Sequence, residues 1–316
     1  MNFVVLYCNK NQYEMFEDFA FKHSPEDFTK VTICVYDDNS DDDQKDKLRK
    51  LCKKYENIKW INPDVNANSI APNLSCHFSC DEYLTKNNID ADWMLFFEND
   101  VFPFQNNFWE LVEEKINFIE TLNADVGSFG FSSYQDFNKG LTKSSGSPTI
   151  GRGCLLDGIL EHPHGGWYKD LPESYYNTDY FVVESVNWQS ICVNRKLLRK
   201  HIEIDSRYDN RLLNNDDLAQ QFMMNNIFNI VFPSLAVYHD SGELKKQVNL
   251  KISNTYIRSN NSHQVYKDRW GWEWGYRNKE LRQQFNAAFP KYMNTIQSKL
   301  FQMHVSDGPK KVEDFE

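Results

Sequence analysis

A chain of 316 residues, 41% apolar and 15% aromatic, can bury a large core as one big domain or two modest ones, and is no disordered polymer. The formal net charge of −10 argues against a general nucleic-acid binder, so an anionic substrate must be met locally, by a metal ion or by backbone N–H groups. Seven scattered cysteines, odd in number, read as reduced intracellular thiols; Cys76 and Cys80 stand at helical spacing without the second pair a zinc site needs. The apolar run over 3–7 is too short for a membrane span or a signal-peptide core, so the expectation is a cytoplasmic protein with no transmembrane segment.

In chain order, 3–7 reads as a buried strand followed by the turn Cys8-Asn9-Lys10-Asn11, and Met15, Phe16, Phe19 and Ala20 then recur at helical spacing. A second strand over 31–36 runs into Asp37-Asp38-Asn39-Ser40-Asp41-Asp42-Asp43, and Leu48, Leu51, Cys52 and Tyr55 mark the next amphipathic helix. A short strand over 58–61 ends at Asn62-Pro63, and Leu74, Phe78 and Leu84 lead a helix toward Trp93. This alternation predicts a mostly parallel sheet with helices on both faces and right-handed crossovers.

The fourth strand is the most informative stretch. Trp93-Met94-Leu95-Phe96-Phe97 runs without a break into Glu98-Asn99-Asp100, and Val101-Phe102-Pro103 comes next. Such a run is a strand buried on both faces. Carboxylates at its end cost desolvation energy unless paired, and a hard cation such as Mg²⁺ or Mn²⁺ would remove that cost. In open α/β sheets ligands bind at the carboxyl ends of strands. An ordinary polar turn is the other reading of the triplet.

Beyond it, 108–119 reads as a helix and 125–131 as a strand. Residues 132–180, rich in Gly, Ser, Pro and Tyr, read as a functional loop region over the open end of the sheet. A strand-like run over 182–193 precedes a short basic helix at 196–201. Asn214-Asn215-Asp216-Asp217 opens a helix, with Asn215 suited to the cap and the two acids to the dipole. Short strands over 230–232 and 235–238 lead into His239, residues 263–276 are aromatic and basic, and 278–302 reads as a C-terminal helix.

The segment Asp37-Asp38-Asn39-Ser40-Asp41-Asp42 matches Asp-Asp-(Gly/Asn)-Ser-x-Asp, and the chain thereby resembles family 2 glycosyltransferases and their GT-A relatives. Further matches stand in the family's order: Cys8-Asn9, Ala71-Pro72-Asn73, the triplet Glu98-Asn99-Asp100 at the Asp-x-Asp position, Val193-Asn194-Arg195, Asp216-Asp217, His239, and Tyr266-Lys267-Asp268-Arg269-Trp270-Gly271. The resemblance implies a GT-A, Rossmann-like domain over 1–271, with a nucleotide-sugar half (1–131) and an acceptor and catalytic half (132–242), then a C-terminal helical extension over 272–316.

By the same resemblance, Cys8, Asn9, Asp38, Asn73, Glu98 and Asn99 hold the donor nucleotide, and Asp100, His239 and Glu98 hold Mn²⁺ or Mg²⁺. Asp217 aligns with the catalytic base and Asp216 replaces the family's Glu, which leaves two neighbouring candidates; helix capping is the plainer role for both. Trp167 and Tyr168 could stack on an acceptor sugar or simply pack the long loop. Pro72 departs from the family's Arg, and Glu98 from the first Asp of its triplet. Arg152, Arg195, Lys267 and Arg269 are candidate diphosphate partners, with a solvated surface role as the alternative.

The expected function is metal-dependent, inverting transfer of a sugar from a nucleoside-diphosphate donor to a glycan, lipid-linked saccharide or protein hydroxyl. Two rivals stand beside it: a nucleotidyltransferase, which usually carries a Gly-rich loop absent from Cys8-Asn9-Lys10-Asn11, and a non-catalytic carbohydrate-binding or assembly protein on the same scaffold.

Overall fold

The structure, a computed structural model, describes residues 1–9, 11–23, 28–61, 72–103, 105–122, 124–135, 152–156, 159–161, 179–186, 189–208, 213–239 and 261–270. Strand β1 (Phe3–Asn9) is buried throughout. Its residues alternate between two cores, as a strand's period of two requires: Phe3, Val5 and Tyr7 on one face, Val4, Leu6 and Cys8 on the other. Strand β2 (Thr32–Asp37) pairs with β1 in parallel, β3 (Ile58–Ile61) with β2, and β4 (Trp93–Phe97) with the other side of β1. The apolar run that begins at Trp93 is therefore central and covered on both sides.

The first core packs α1 (Tyr13–Asp18), α2 (Asp42–Lys54) and α4 (Phe108–Thr121) against the sheet. The second takes Leu74, Cys76, Cys80 and Leu84 of α3 (Pro72–Lys86), Leu198 of α5 (Arg195–His201), Leu218 and Phe222 of α6 (Asn214–Met224), and Val265 and Tyr266 of α7 (Asn261–Trp270). Helix α2 carries Asp42 and Asp43 in its first turn and Lys53 and Lys54 in its last, matching its dipole at both ends. Among the described residues no helix is long and apolar enough to cross a membrane.

Past β4 the sheet becomes mixed. The remaining strands are β5 (Val101–Pro103), β6 (Val126–Gln135), β7 (Arg152–Leu156), β8 (Ile159–Glu161), β9 (Phe181–Ser185), β10 (Ser190–Asn194) and β11 (Phe228–His239). The order is β3-β2-β1-β4-β10-β6-β11-β9-β7-β8, with β5 paired to β11. The single strand expected over 182–193 is two strands that are not neighbours: β10 lies between β4 and β6, and β9 lies beyond β11. Its apolar residues serve both strands alike, and neither Gly nor Pro stands between them to mark the break. Conversely, the two short strands expected near 230 and 236 are one, β11, whose register against β6 shifts between Phe232 and Ala236 around Pro233. Within 132–180, β6 reaches Gln135, and β7 and β8 form an antiparallel pair too short to show a period. The helix expected over 278–302 lies outside the described residues.

At the edge away from the strand carboxyl ends, Asp81 of α3 accepts from Arg195 Nε at 2.8 Å and from Arg199 Nε at 2.6 Å. The Arg195 side chain is 8% exposed, that of Asp81 10%. Arg195 also donates to the Ala91 carbonyl just before β4. It is thus a buried strut between α3, β4 and α5, which removes it from the candidate diphosphate partners. Removing Asp81 strands a buried cation, whereas the half-exposed Arg199 adds little. Asp81→Ala is expected to lower unfolding stability by about 3 to 5 kcal/mol in a urea titration, with Arg199→Ala costing about 1 kcal/mol or less.

Candidate active site

Strands β2, β1 and β4 are parallel and in register, so their carboxyl ends form one rim: Asn9 lies opposite Asp37, and Tyr7 opposite Phe97. On β2, Asp37 is fully buried; its Oδ1 accepts from Asn9 Nδ2 at 3.3 Å and from the Ser40 hydroxyl. Ser40 in turn accepts from the Asn11 N–H at 2.8 Å. Asp38 is 1% exposed, and its N–H donates to the Asn9 carbonyl at 2.8 Å. Asn39 has φ of 56°, in the left-handed region that Asn tolerates, and this accounts for the Gly-or-Asn choice in the motif. Two buried acceptors on this rim, Asp37 Oδ2 and Asn9 Oδ1, have no hydrogen-bond partner among the described residues. A ligand presenting N–H or O–H groups would satisfy them. Asp37 thereby joins the site, although the motif alone assigns it no role of its own.

The acidic triplet is a tight turn closed by Val101 N–H on the Glu98 carbonyl at 3.1 Å. Glu98 N–H donates to the Gln189 carbonyl at 3.0 Å, and the Tyr7 hydroxyl to the Asn99 carbonyl at 2.9 Å. Burial, and next the charge of Asp100, push the Tyr7 phenol well above its usual range, so it remains a donor. The chain then enters β5, whose antiparallel register with β11 sets His239 opposite Val101. That pairing brings His239 Nε2 to 3.4 Å from Asp100 Oδ2. Gln189 Nε2 lies 2.8 Å from His239 Nδ1, and the Ser133 hydroxyl donates to Gln189 Oε1 at 2.9 Å. No sequence signal marks Gln189, because only the folded sheet brings the start of β10 beside the end of β11.

Among the described residues no group of three or more His, Cys, Asp or Glu forms a ready metal cluster. The pair Asp100 and His239 nevertheless fits a cation: two donors each about 2.1 Å from one ion stand about 3 Å apart, close to the 3.4 Å seen. A site with few protein ligands is usual where phosphate oxygens and water complete the shell.

Cys8 is buried, with the Cys76 thiol of α3 3.9 Å from its sulfur. Asn73 lies in the first turn of α3, while Trp167 and Tyr168 fall outside the described residues. The expected cap of α6 is not Asn215, which lies inside the helix; the cap position is Leu213, at φ 68° and without a side-chain capping bond. A Leu there costs roughly 1 to 2 kcal/mol of backbone strain, offset by the contacts of the first helical turn.

Those contacts centre on Asp217, which is fully buried. Its Oδ1 accepts from Trp270 Nε1 at 2.9 Å and Tyr208 Oη at 3.1 Å; its Oδ2 accepts from Gln221 Nε2 at 2.9 Å and faces Arg269 at 3.2 Å. Burial raises its pKa to about 6, with Arg269 the largest opposing influence. A value near 6 would suit a general base, but geometry comes first: a base must face the proton it takes, and these four donors enclose Asp217. Arg269 is engaged here, so it too leaves the diphosphate candidates. Asp216, one residue earlier, is half-buried.

No family model matches the chain, and no curated protein matches it in sequence. Solved structures do match. GalNAc-T7 with UDP, GalNAc and Mn²⁺ aligns over 94% of this chain and 57% of its own length, at a TM-score of 0.51 and 11% identity. The S. aureus TarS 1-349 structure aligns over 76% of this chain and 60% of its own, at 0.45 and 14%. The mannosyltransferase PcManGT from Pyrobaculum calidifontis, in complex with GDP-Man and Mn²⁺, aligns over 75% and 56%, at 0.46 and 10%. The chain thus spans less than two thirds of each. The GalNAc-T7 match establishes a common fold, the GT-A fold of glycosyltransferases, in agreement with the motif resemblance.

Asp217→Asn keeps the shape but sets an amide donor against Gln221 or Arg269. It is expected to destabilise by about 2 to 4 kcal/mol in denaturant. Because the folded pKa of Asp217 is raised, the fold binds a proton more tightly than the unfolded chain. This contribution is full below the unfolded value and is lost as pH rises through about 6. The stability gap between wild type and Asp217→Asn should therefore widen as pH falls from about 7 to about 5; a gap that narrows or stays constant would contradict the assigned shift.

Proposed function

We propose that the protein is a metal-dependent, inverting glycosyltransferase that moves a sugar from a nucleoside-diphosphate donor to a hydroxyl of a glycan, lipid-linked saccharide or protein. The observation that carries this reading is the meeting of Asp100 and His239, 3.4 Å apart, on the rim that Asp38 and Asn9 share. The occupants of the similar GalNAc-T7 structure, UDP and GalNAc with Mn²⁺, support it.

In this reading Asp38 and Asn9 orient the nucleotide, and the open acceptors Asp37 Oδ2 and Asn9 Oδ1 take N–H or O–H groups of its base or ribose. Cys8, Asn73 and Asn99 are assigned to the donor nucleotide by the motif resemblance. Asp100 and His239 hold the cation, with Glu98 acting through water or on the ribose. Bound there, Mn²⁺ or Mg²⁺ would neutralise the leaving diphosphate. The acceptor hydroxyl attacks the anomeric carbon from the opposite face as the bond to the diphosphate oxygen breaks, and a carboxylate takes its proton. We assign that proton to Asp216, which is half-buried in the first turn of α6, where the helix dipole favours the carboxylate. Asp217 holds the helix start. Trp167 and Tyr168 would stack on the acceptor sugar.

The test is a thermal-shift series with UDP, GDP, dTDP and CDP, each with and without Mn²⁺, on wild type, Asp100→Ala and Asp216→Ala. One nucleotide at about a hundredfold over its dissociation constant should stabilise wild type by about 2.7 kcal/mol, only with metal. Asp100→Ala should lose the effect. Asp216→Ala should keep it, yet transfer sugar about 10² to 10⁴ times more slowly. No shift with any nucleotide would hand the scaffold to the non-catalytic binding reading.

A further inference from the structure

The Asp100–His239 pair is held by a residue to which neither the motifs nor the resemblance assigns a role. Gln189 stands immediately before β10, and the β10–β4 register places Ser190 opposite Phe97, so Gln189 reaches the triplet. Its carbonyl accepts the Glu98 N–H at 3.0 Å, while its amide meets His239 Nδ1 at 2.8 Å. Ser133 of β6 fixes the far side of that amide at 2.9 Å. Gln189 is 7% exposed and Ser133 1%, so neither contact competes with bulk water. One residue thus touches both halves of the candidate metal site, by backbone at the triplet and by side chain at the imidazole.

We propose that Gln189 is a positioning residue that sets the ring orientation and tautomer of His239 for metal coordination. This assignment rests on the metal reading of the Asp100–His239 pair. With Ser133 donating to Gln189 Oε1, the amide N–H points at Nδ1, so Nδ1 accepts and the imidazole proton sits on Nε2, toward Asp100. To bind a cation, Nε2 must present its lone pair, and the proton must move to Nδ1. Gln189 accommodates this by turning its amide over. Oε1 then accepts from Nδ1–H, and Nε2 donates to the Ser133 hydroxyl, which can accept as readily as donate. Each arrangement keeps both hydrogen bonds, so the metal-free and metal-bound tautomers are held in the same ring position. A hydrocarbon side chain at 189 could hold neither, and a carboxylate could hold only the metal-binding one.

Two readouts test this: the His239 tautomer of the metal-free protein from ¹⁵N NMR shifts, and the affinity for Mn²⁺ alone from electron paramagnetic resonance of the free ion. Gln189→Leu should leave His239 as a mixture of tautomers and weaken Mn²⁺ about ten- to a hundredfold, as losses of such outer partners do. Gln189→Glu should shift His239 to the Nδ1–H tautomer and restore Mn²⁺ binding. Ser133→Ala should fall between wild type and Gln189→Leu. A Gln189→Leu protein that matches wild type in both readouts overturns the assignment of Gln189 and leaves the metal site standing. Wild type that takes up no Mn²⁺, either alone or with UDP or GDP present, overturns the metal reading and this proposal together. Should Gln189→Leu fail to fold, Gln189→Glu decides: a purely structural role gives weaker Mn²⁺ binding and an unmoved tautomer.

Discussion

The site depends on the register between β5 and β11. In a strand, a slip of one residue moves every side chain to the other face, so the meeting of His239 with Asp100 requires the pairing that sets His239 opposite Val101. That register is made upstream. Between Phe232 and Ala236, β11 advances four residues while its partner β6 advances one, an odd excess that reverses which face the later residues present. Pro233, which has no N–H to give a ladder, stands inside the irregularity. The Gln105 amide closes it, donating to the Ser234 carbonyl at 2.7 Å and accepting from the Ala236 N–H at 2.9 Å. Ser132 satisfies the Pro233 carbonyl at 2.9 Å. Side chains therefore supply the bonds that the interrupted ladder lacks, and the end of β11 emerges aimed at the triplet.

The other components of the rim derive from the parallel half of the sheet. Because β2, β1 and β4 run the same way, their polar ends are brought together without any long-range device, and the two cores on either face hold them at one level. Polar atoms there are held by neighbours on adjacent strands: Asn9 by Asp37, Asp38 by the Asn9 carbonyl, Asn99 by Tyr7. This is a site built on strand ends, where backbone pairing rather than loop packing fixes position.

The parallel half was therefore legible in the sequence. Each of its strands is a continuous apolar run with its polar end attached, so local pattern and location coincide. The same holds for Asp38, Asn9 and the triplet. The rest was not legible because it depends on residues far apart in the chain. Gln189 acquires its place because β10 enters beside β4 in the opposite direction, and no residue near 189 announces that. The break between β9 and β10 lacks Gly or Pro. Asn215 has the composition of a cap, yet α6 begins directly after Leu213 at positive φ, because the partners of Asp217 fix the helix start more firmly than a cap would. Two of those partners, Arg269 and Trp270, come from α7, far along the chain.

The same network separates the two adjacent carboxylates. Consecutive residues of a helix are turned about 100° from each other around its axis, so Asp216 and Asp217 cannot share an environment. Directing Asp217 inward, onto Trp270, Tyr208, Gln221 and Arg269, turns Asp216 away from that cluster. A carboxylate held by four donors fixes the first turn of α6, and with it the backbone of its neighbour. Alignment alone gives such a pair of neighbouring acids no separate roles, because both have the right chemistry; the division of roles proposed for them rests on their different enclosure. The aromatic and basic character of α7 then has a mechanical reason: its Trp270 and Arg269 supply donors that keep Asp217 inside, and so hold the first turn of α6 in place.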